Sequence, residues 1–306
     1  MDIKGHIIGC FDSFKYREIH HIRNKKEPVY YIIRRKSPWA GFFSNYFYVL
    51  SHLSYANKKG WISVVDMQNY PTLYTEDSEL FGTKNGWEYY FKQPGDISVE
   101  QALKSGNYVL SRNEYLGEEG VPVYTINQGH ITSDMVKYLY PLQQKYIPVN
   151  EAIMTEVNMQ FEALIGREKC VGIHIRGTDM KVAQNEHTLP PGVARSQKAL
   201  EEILELEKNI KIFLCCDEAE IVNNFRDKYG DRVVFLPAYR SIGNTMQGIH
   251  MQSSKRPNHK YLLGKEVLMD CIMLSKCDYL VCGISNVTSA AIMYNDLNYQ
   301  KVVLLK

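Results

Sequence analysis

The second half of the chain alternates short apolar runs with helical patterns, and this alternation constrains the fold more than any other feature. CVGIHI at 170–175 is a continuous apolar run of strand length. Helical spacing follows at 194–206, then KIFLCC at 211–216, a helix at 218–229 and RVVFL at 232–236. The spacing next predicts a strongly amphipathic helix over 264–277, a strand DYLVC at 278–282, a helix rich in small residues at 285–294 and a closing strand KVVLL at 301–305. Uninterrupted apolar strands need cover on both faces, which a parallel sheet flanked by helices supplies. The pattern predicts a doubly wound α/β domain.

The first half is α/β too, with a looser rhythm. VYYII at 29–33, WISVVD at 61–66 and 107–111 read as strands, and 43–56 reads as a helix. The stretch 132–164 reads as helical, with breaks at Pro141 and Pro148. A chain of 306 residues fits two domains at roughly 150 residues each. The boundary is placed near residue 150, giving domains 1–150 and 151–306. Two α/β domains facing each other enclose a cleft, and strand carboxyl ends aim ligand-binding loops into it.

Composition removes several classes of function. Lys and Arg total 36 against 34 for Asp and Glu, a formal charge of +2 and too small an excess for a nucleic-acid coat. The 45% hydrophobic content excludes a disordered chain. No stretch approaches the ~20 apolar residues that span a bilayer, and the opening residues lack the apolar core of a secretory leader. The basic segment 20–26 reads as a solvated turn or as a peripheral contact with an anionic membrane surface. The seven cysteines form no C-x-x-C pair and mostly lie in apolar runs. They read as reduced, buried residues of a cytoplasmic protein, which would leave the Asn286-Val287-Thr288 sequon unused. The 22 tyrosines suit either a polar-ligand cleft or the core and rim.

Chemistry is expected where strands end. The run 170–175 stops at Arg176-Gly177-Thr178-Asp179, with His174 two residues before the arginine. Arg176 offers a planar fork suited to phosphate or carboxylate, or else pairs with Asp179. KIFLCC ends in Asp217-Glu218, which either cap the next helix or accept paired N–H donors such as a guanine edge. DYLVC leads through Gly283 and Ile284 to Ser285, Asn286 and Thr288, where hydroxyls and a helix N-terminus make an anion site or an ordinary cap. In the first half, Gly41 before Phe42 allows close backbone approach to a ligand. Three such strand ends side by side would hold a nucleotide diphosphate. The chain has no G-x-x-x-x-G-K-[ST] loop, no G-x-G-x-x-G and no Asp-x-Asp pair, so an arginine and a helix terminus would supply the electrostatics. The Gly-, His-, Lys- and Arg-containing stretch 241–260 reads as a long loop suited to a lid, with His250 and His259 within reach of a sugar.

These segments resemble a known family. VGIHIRGTD resembles the His-x-Arg-x-(Thr/Gly)-Asp signature of the fucosyltransferase superfamily, which includes bacterial α-1,2 and α-1,6 enzymes and protein O-fucosyltransferases. IFLCCDEAEIVNNFRDKYGDRVVFLP is similar to its second motif, and EVLMDCIMLSKCDYLVCGISNVTSAAI to its third. WAGFFSNYFYVLSHLSYANKKGWISVVD looks like the family's N-terminal Gly-Phe loop, helix and strand. The resemblance implies a GT-B fold of two Rossmann-like domains facing across a cleft. It also implies inverting transfer of fucose from GDP-fucose to a glycan or lipid-linked acceptor, with no obligatory metal. By position, Arg176 would bind the β-phosphate, His174 would line its pocket, and Asp217 or Glu218 would read guanine. Ser285, Asn286 and Thr288 would hold phosphate oxygens, and Gly41 and Phe42 would border the donor from the other domain. Asp179 or Glu186 would be the base. Gly177 stands where many members carry a second arginine. The rival readings are another nucleotide-sugar donor, such as GDP-mannose or a UDP-sugar, and a catalytically inactive binding module. Action at the inner face of the membrane is a further expectation.

Overall fold

The computed structural model describes residues 17–116, 124–126, 129–176, 192–242, 248 and 251–305. The chain divides into two compact units, Met1–Val123 with Pro141–Val149, and Tyr124–Tyr140 with Asn150–Lys306.

The first unit carries β1 (Ile19–His21), β2 (Tyr30–Ile33), α1 (Phe42–Lys59), β3 (Ile62–Val65), α2 (Val99–Lys104) and β4 (Tyr108–Leu110). Its sheet runs β1-β4-β2-β3, with β2 parallel to both β3 and β4. The segment read from sequence as a charged turn opens with β1, which lies antiparallel on β4 with His20 opposite Val109. Its residues are half-buried or exposed, so no apolar pattern announced it. Tyr31, Tyr46, Tyr48, Tyr55, Tyr74, Tyr89 and Tyr90 are all buried, so much of the tyrosine surplus belongs to this unit's core. Helix α1 ends at Gly60, whose left-handed φ of 69° lets its N–H reach the carbonyls of Ala56 and Asn57.

Next come α3 (Ser133–Tyr146) and α4 (Glu151–Leu164). Pro141 lies inside α3, where the sequence predicts a break, and one of the three points at which the chain passes between the units falls at this residue. The proline removes one intrahelical donor, but Val136, Leu139 and Gln143 are buried on either side of it and hold the helix in place.

The second unit carries β5 (Cys170–Ile175), α5 (Val193–Leu206), β6 (Lys211–Cys216), α6 (Ala219–Tyr229), β7 (Val233–Val234), α7 (His259–Ser275), β8 (Tyr279–Cys282), α8 (Asn286–Asn295) and β9 (Lys301–Leu304). The strands are parallel, in the order β7-β6-β5-β8-β9. Val171, Ile173 and Ile175 of β5 join Leu200 and Ile203 of α5 and Ile221 and Phe225 of α6 in one core. The alternate residues face α7. A Cβ on Gly172 would lie 2.9 Å from Leu274 Cδ2 and 3.2 Å from Cys277 Sγ, so glycine sets how closely α7 approaches the sheet. Helix α7 begins at His259, five residues before the predicted start, and every residue from Leu268 to Ser275 is buried. It is therefore not the amphipathic helix that its sequence predicted. It packs against α4, α8, β5 and β6 and has no free face in that half. Strand β7, an edge strand paired only with β6, is two residues long, shorter than the run at 232–236 predicted.

Candidate active site

In the second unit's sheet the strand order reverses at the β5–β8 pair. In open α/β sheets the crevice outside such a reversal receives ligands. The register places His174 opposite Cys215 of β6 and Cys282 of β8. The strand ends are therefore level. Arg176 follows β5, Asp217 follows β6, and Gly283-Ile284-Ser285 follows β8. Arg176 is half-buried at the centre of this row. His174 beneath it is 8% exposed. Burial, aided by the Arg176 charge and opposed by Asp217, pushes its pKa down to about 4. The ring is neutral at pH 7, so it adds no charge to that of Arg176.

At the β8 end, Ser285 and Thr288 form a reciprocal capping box at the start of α8. Ser285 Oγ accepts the Thr288 N–H at 3.1 Å, and Thr288 Oγ1 accepts the Ser285 N–H at 3.1 Å. Thr288 Oγ1 also donates to the Gly283 carbonyl at 2.9 Å. Both residues are 2% exposed. Their hydroxyls serve the helix, and the backbone N–H groups of Asn286 and Val287 are the first-turn donors the box does not engage. Asn286 is half-buried.

At the β6 end, Glu218 holds the N-cap position of α6, but its carboxylate makes no capping bond. It is 8% exposed, while Asp217 is half-buried. The backbone here is tied to the loop after β7. Ser241 donates from its N–H to the Asp217 carbonyl at 2.9 Å, and Ala219 donates to the Ser241 carbonyl at 3.1 Å.

Asp270 on α7 is a buried acid beside this row of strand ends, and no sequence motif singles it out. Its Oδ2 accepts from Cys215 Sγ at 3.5 Å, one strand over from His174. Its Oδ1 is buried and has no hydrogen-bond partner. Burial raises its pKa to about 7, against the lowering effect of the Arg240 charge. The available signal was a lone acid in the apolar run LMDCIML. His259 has both ring nitrogens engaged. Nδ1 accepts from Arg256 Nε at 2.7 Å and Nε2 donates to the Gln252 carbonyl at 2.9 Å.

In the first unit, Gly41 caps α1 at φ −61°, and a Cβ there would meet nothing within 4 Å. Its own backbone thus makes no demand for glycine. Phe42 is 7% exposed, with its ring edge-on to Phe43, Tyr74 and Tyr90. Its N–H donates to Tyr74 Oη at 2.9 Å. Its side chain belongs to the aromatic core, and the Gly41 carbonyl accepts from the Asn45 N–H at 3.0 Å. Asp179, Glu186 and His250 lie outside the described residues. Among the described residues, no group of three or more His, Cys, Asp or Glu side chains could hold a metal ion.

Comparison with known proteins places this arrangement in a family. Residues 127–291, just over half of the 306-residue chain, match the family model of alpha-(1,6)-fucosyltransferase N- and catalytic domains. No curated protein matches the chain. NodZ alpha-1,6-fucosyltransferase co-crystallized with GDP is similar in structure, with 14% identity, 92% of this chain and 96% of that one covered, and a TM-score of 0.54. Fucosyltransferase NodZ from Bradyrhizobium, also 14% identical, aligns over 88% of this chain and 93% of its own with a TM-score of 0.51. An Arabidopsis thaliana FUT1 variant in complex with GDP is 10% identical, with 94% of this chain and 72% of that one covered and a TM-score of 0.50. These likenesses carry the fold, a GT-B architecture of two α/β units. With the family model spanning the helix-to-helix stretch that contains Arg176, Asp270 and the α8 cap, the chain belongs to the alpha-(1,6)-fucosyltransferase family, a family of glycosyltransferases.

Proposed function

We propose that the protein transfers fucose from GDP-fucose to a hydroxyl of a glycan or glycolipid acceptor, with inversion at the sugar carbon. The observation that carries this reading is Arg176 at the reversal of the strand order, level with the N-terminus of α8. The NodZ structures, one co-crystallized with GDP and one soaked with GDP-fucose, support it. The acceptor oxygen forms a bond to C1 as the bond from C1 to the β-phosphate oxygen breaks. The electron pair leaves with GDP, and the acceptor proton passes to a base, the role expected of Asp179 or Glu186. Negative charge grows on the diphosphate, where the Arg176 guanidinium and the N–H groups of Asn286 and Val287 receive it. Asp270, rather than Asp217 or Glu218, accepts from guanine N1–H and the 2-amino group, because its buried Oδ1 lacks a donor. Asp217 follows β6 level with Arg176. The six described cysteines are free and buried, which supports a cytoplasmic setting.

Replacing Arg176 tests the proposal. Arg176→Ala is expected to lower transfer from GDP-fucose by ~10²–10³-fold while the melting temperature is unchanged. Wild-type turnover in a folded variant would remove Arg176 from the mechanism.

A further inference from the structure

A second buried polar atom without a partner, Arg240 Nε, belongs to a residue whose charge acts on Asp270. Arg240 lies in the loop after β7, and its guanidinium is pinned on three sides. Nη2 donates to the Leu236 carbonyl at 2.9 Å, Nη1 donates to the Ala238 carbonyl at 3.4 Å, and the Phe235 ring lies 5.0 Å away. The pinning leaves Nε–H, which is buried and has no acceptor. The loop is braced as well. Ser241 is tied to the end of β6, and the Tyr239 N–H donates to Glu266 Oε2 on α7 at 3.1 Å. Glu266 is held in turn by Arg256, whose Nη2 lies 3.1 Å from the same oxygen.

The Arg240 charge acts on Asp270, yet no hydrogen bond joins the two. A buried donor and a buried acceptor left unmatched are each costly. One planar ligand edge that offers an acceptor beside donors satisfies both. Guanine has that edge, with O6 next to N1–H and the 2-amino group. Adenine has the reverse at position 6 and no proton on N1. Given the GDP-sugar reading above, we propose that Arg240 is a specificity-determining residue that donates from Nε to the 6-oxo group of the purine, while Asp270 accepts from its N1–H and 2-amino group. Guanine selection would then rest on two groups of opposite hydrogen-bonding sense, carried on different elements of the same unit.

The test is competition binding of GDP, inosine diphosphate and ADP at pH 8. Inosine diphosphate keeps the 6-oxo group and N1–H but lacks the 2-amino group. The wild type is expected to bind GDP and inosine diphosphate well above ADP. Arg240→Met is expected to weaken GDP and inosine diphosphate together by ~10–100-fold and leave ADP within ~2-fold. The KM for GDP-fucose rises in the same proportion, with kcat little changed. A parallel probe needs no variant, so misfolding cannot obscure it. On the wild type, 6-thioguanosine diphosphate, whose sulfur accepts hydrogen bonds poorly, is expected to bind ~10-fold more weakly than GDP. Equal loss for all three diphosphates in Arg240→Met, or 6-thioguanosine diphosphate binding as well as GDP, overturns the assignment. A wild type that binds ADP as tightly as GDP overturns the donor reading itself, and this inference with it.

Discussion

Asp270 makes the behaviour of this site depend on pH in two opposite ways. In the folded protein its pKa is about 7, against 3.8 for an ordinary aspartate. Between those values the folded state holds a proton that the unfolded chain has released. This group's effect on stability is therefore unfavourable as pH rises from ~4 to ~7. Binding of guanine runs the other way, because the proton must leave Asp270 before N1–H and the 2-amino group can donate to it. GDP affinity is expected to plateau near pH 8 and to fall ~tenfold per pH unit below about 7, and titration calorimetry of wild type and Asp270→Asn checks this. A flat wild-type profile from pH 6 to 8 would remove Asp270 from base recognition. His174 has the opposite linkage. Its pKa is lowered to about 4, so the stability it contributes is full above ~6.5 and fades as pH falls toward 4. Of these residues, His174 and Arg176 were legible in the sequence because a strand ending in His-x-Arg marks itself. Asp270 and Arg240 were not, since an acid inside an apolar helix and an arginine in a loop gain meaning only when folding brings them together.

At the scale of elements, the central fit is that of α7 on β5. Leu274 and Cys277 fill the space above Gly172 so closely that a methyl group has no room. Gly172→Ala is expected to destabilise the protein by about 1–3 kcal/mol through overpacking, measured by urea unfolding. It should weaken GDP binding as well, since Asp270 lies one helical turn before Leu274 on the displaced helix. Stability unchanged within about 0.5 kcal/mol would mean that α7 shifts without strain. Strands β5, β6 and β8 stood out in the sequence because each is buried on both faces and reads as an unbroken apolar run; β9 reads as apolar too, although its first two residues are exposed. Strand β1 did not, because its exposed histidines carry no such pattern. The burial of α7 was hidden for a related reason. Its periodicity reports side-chain polarity, and the covering of its polar positions by α4 and α8 is a tertiary fact.

For the whole molecule, the groups assigned to the nucleotide all belong to the second unit. GDP is therefore expected to slow amide exchange in β5, β6, β8 and the start of α8, and to leave β2, β3 and β4 unchanged. At 100 times its dissociation constant the added stability is ~2.7 kcal/mol, which hydrogen-exchange mass spectrometry resolves. Equal protection in both units would mean that they unfold together. The α/β class, the parallel sheet and the candidate arginine followed from the sequence alone. Strand periodicity is local, and a polar residue at the end of an apolar run marks a strand's carboxyl end without reference to anything distant. Folding alone decided which polar groups converge. It put Ser285 and Thr288 into a cap, drew Phe42 into an aromatic core, and set Asp270 and Arg240, 30 positions apart, to work on one another. Burial and hydrogen-bond matching are properties of contacts between distant segments, and the order of residues along a chain does not encode them locally.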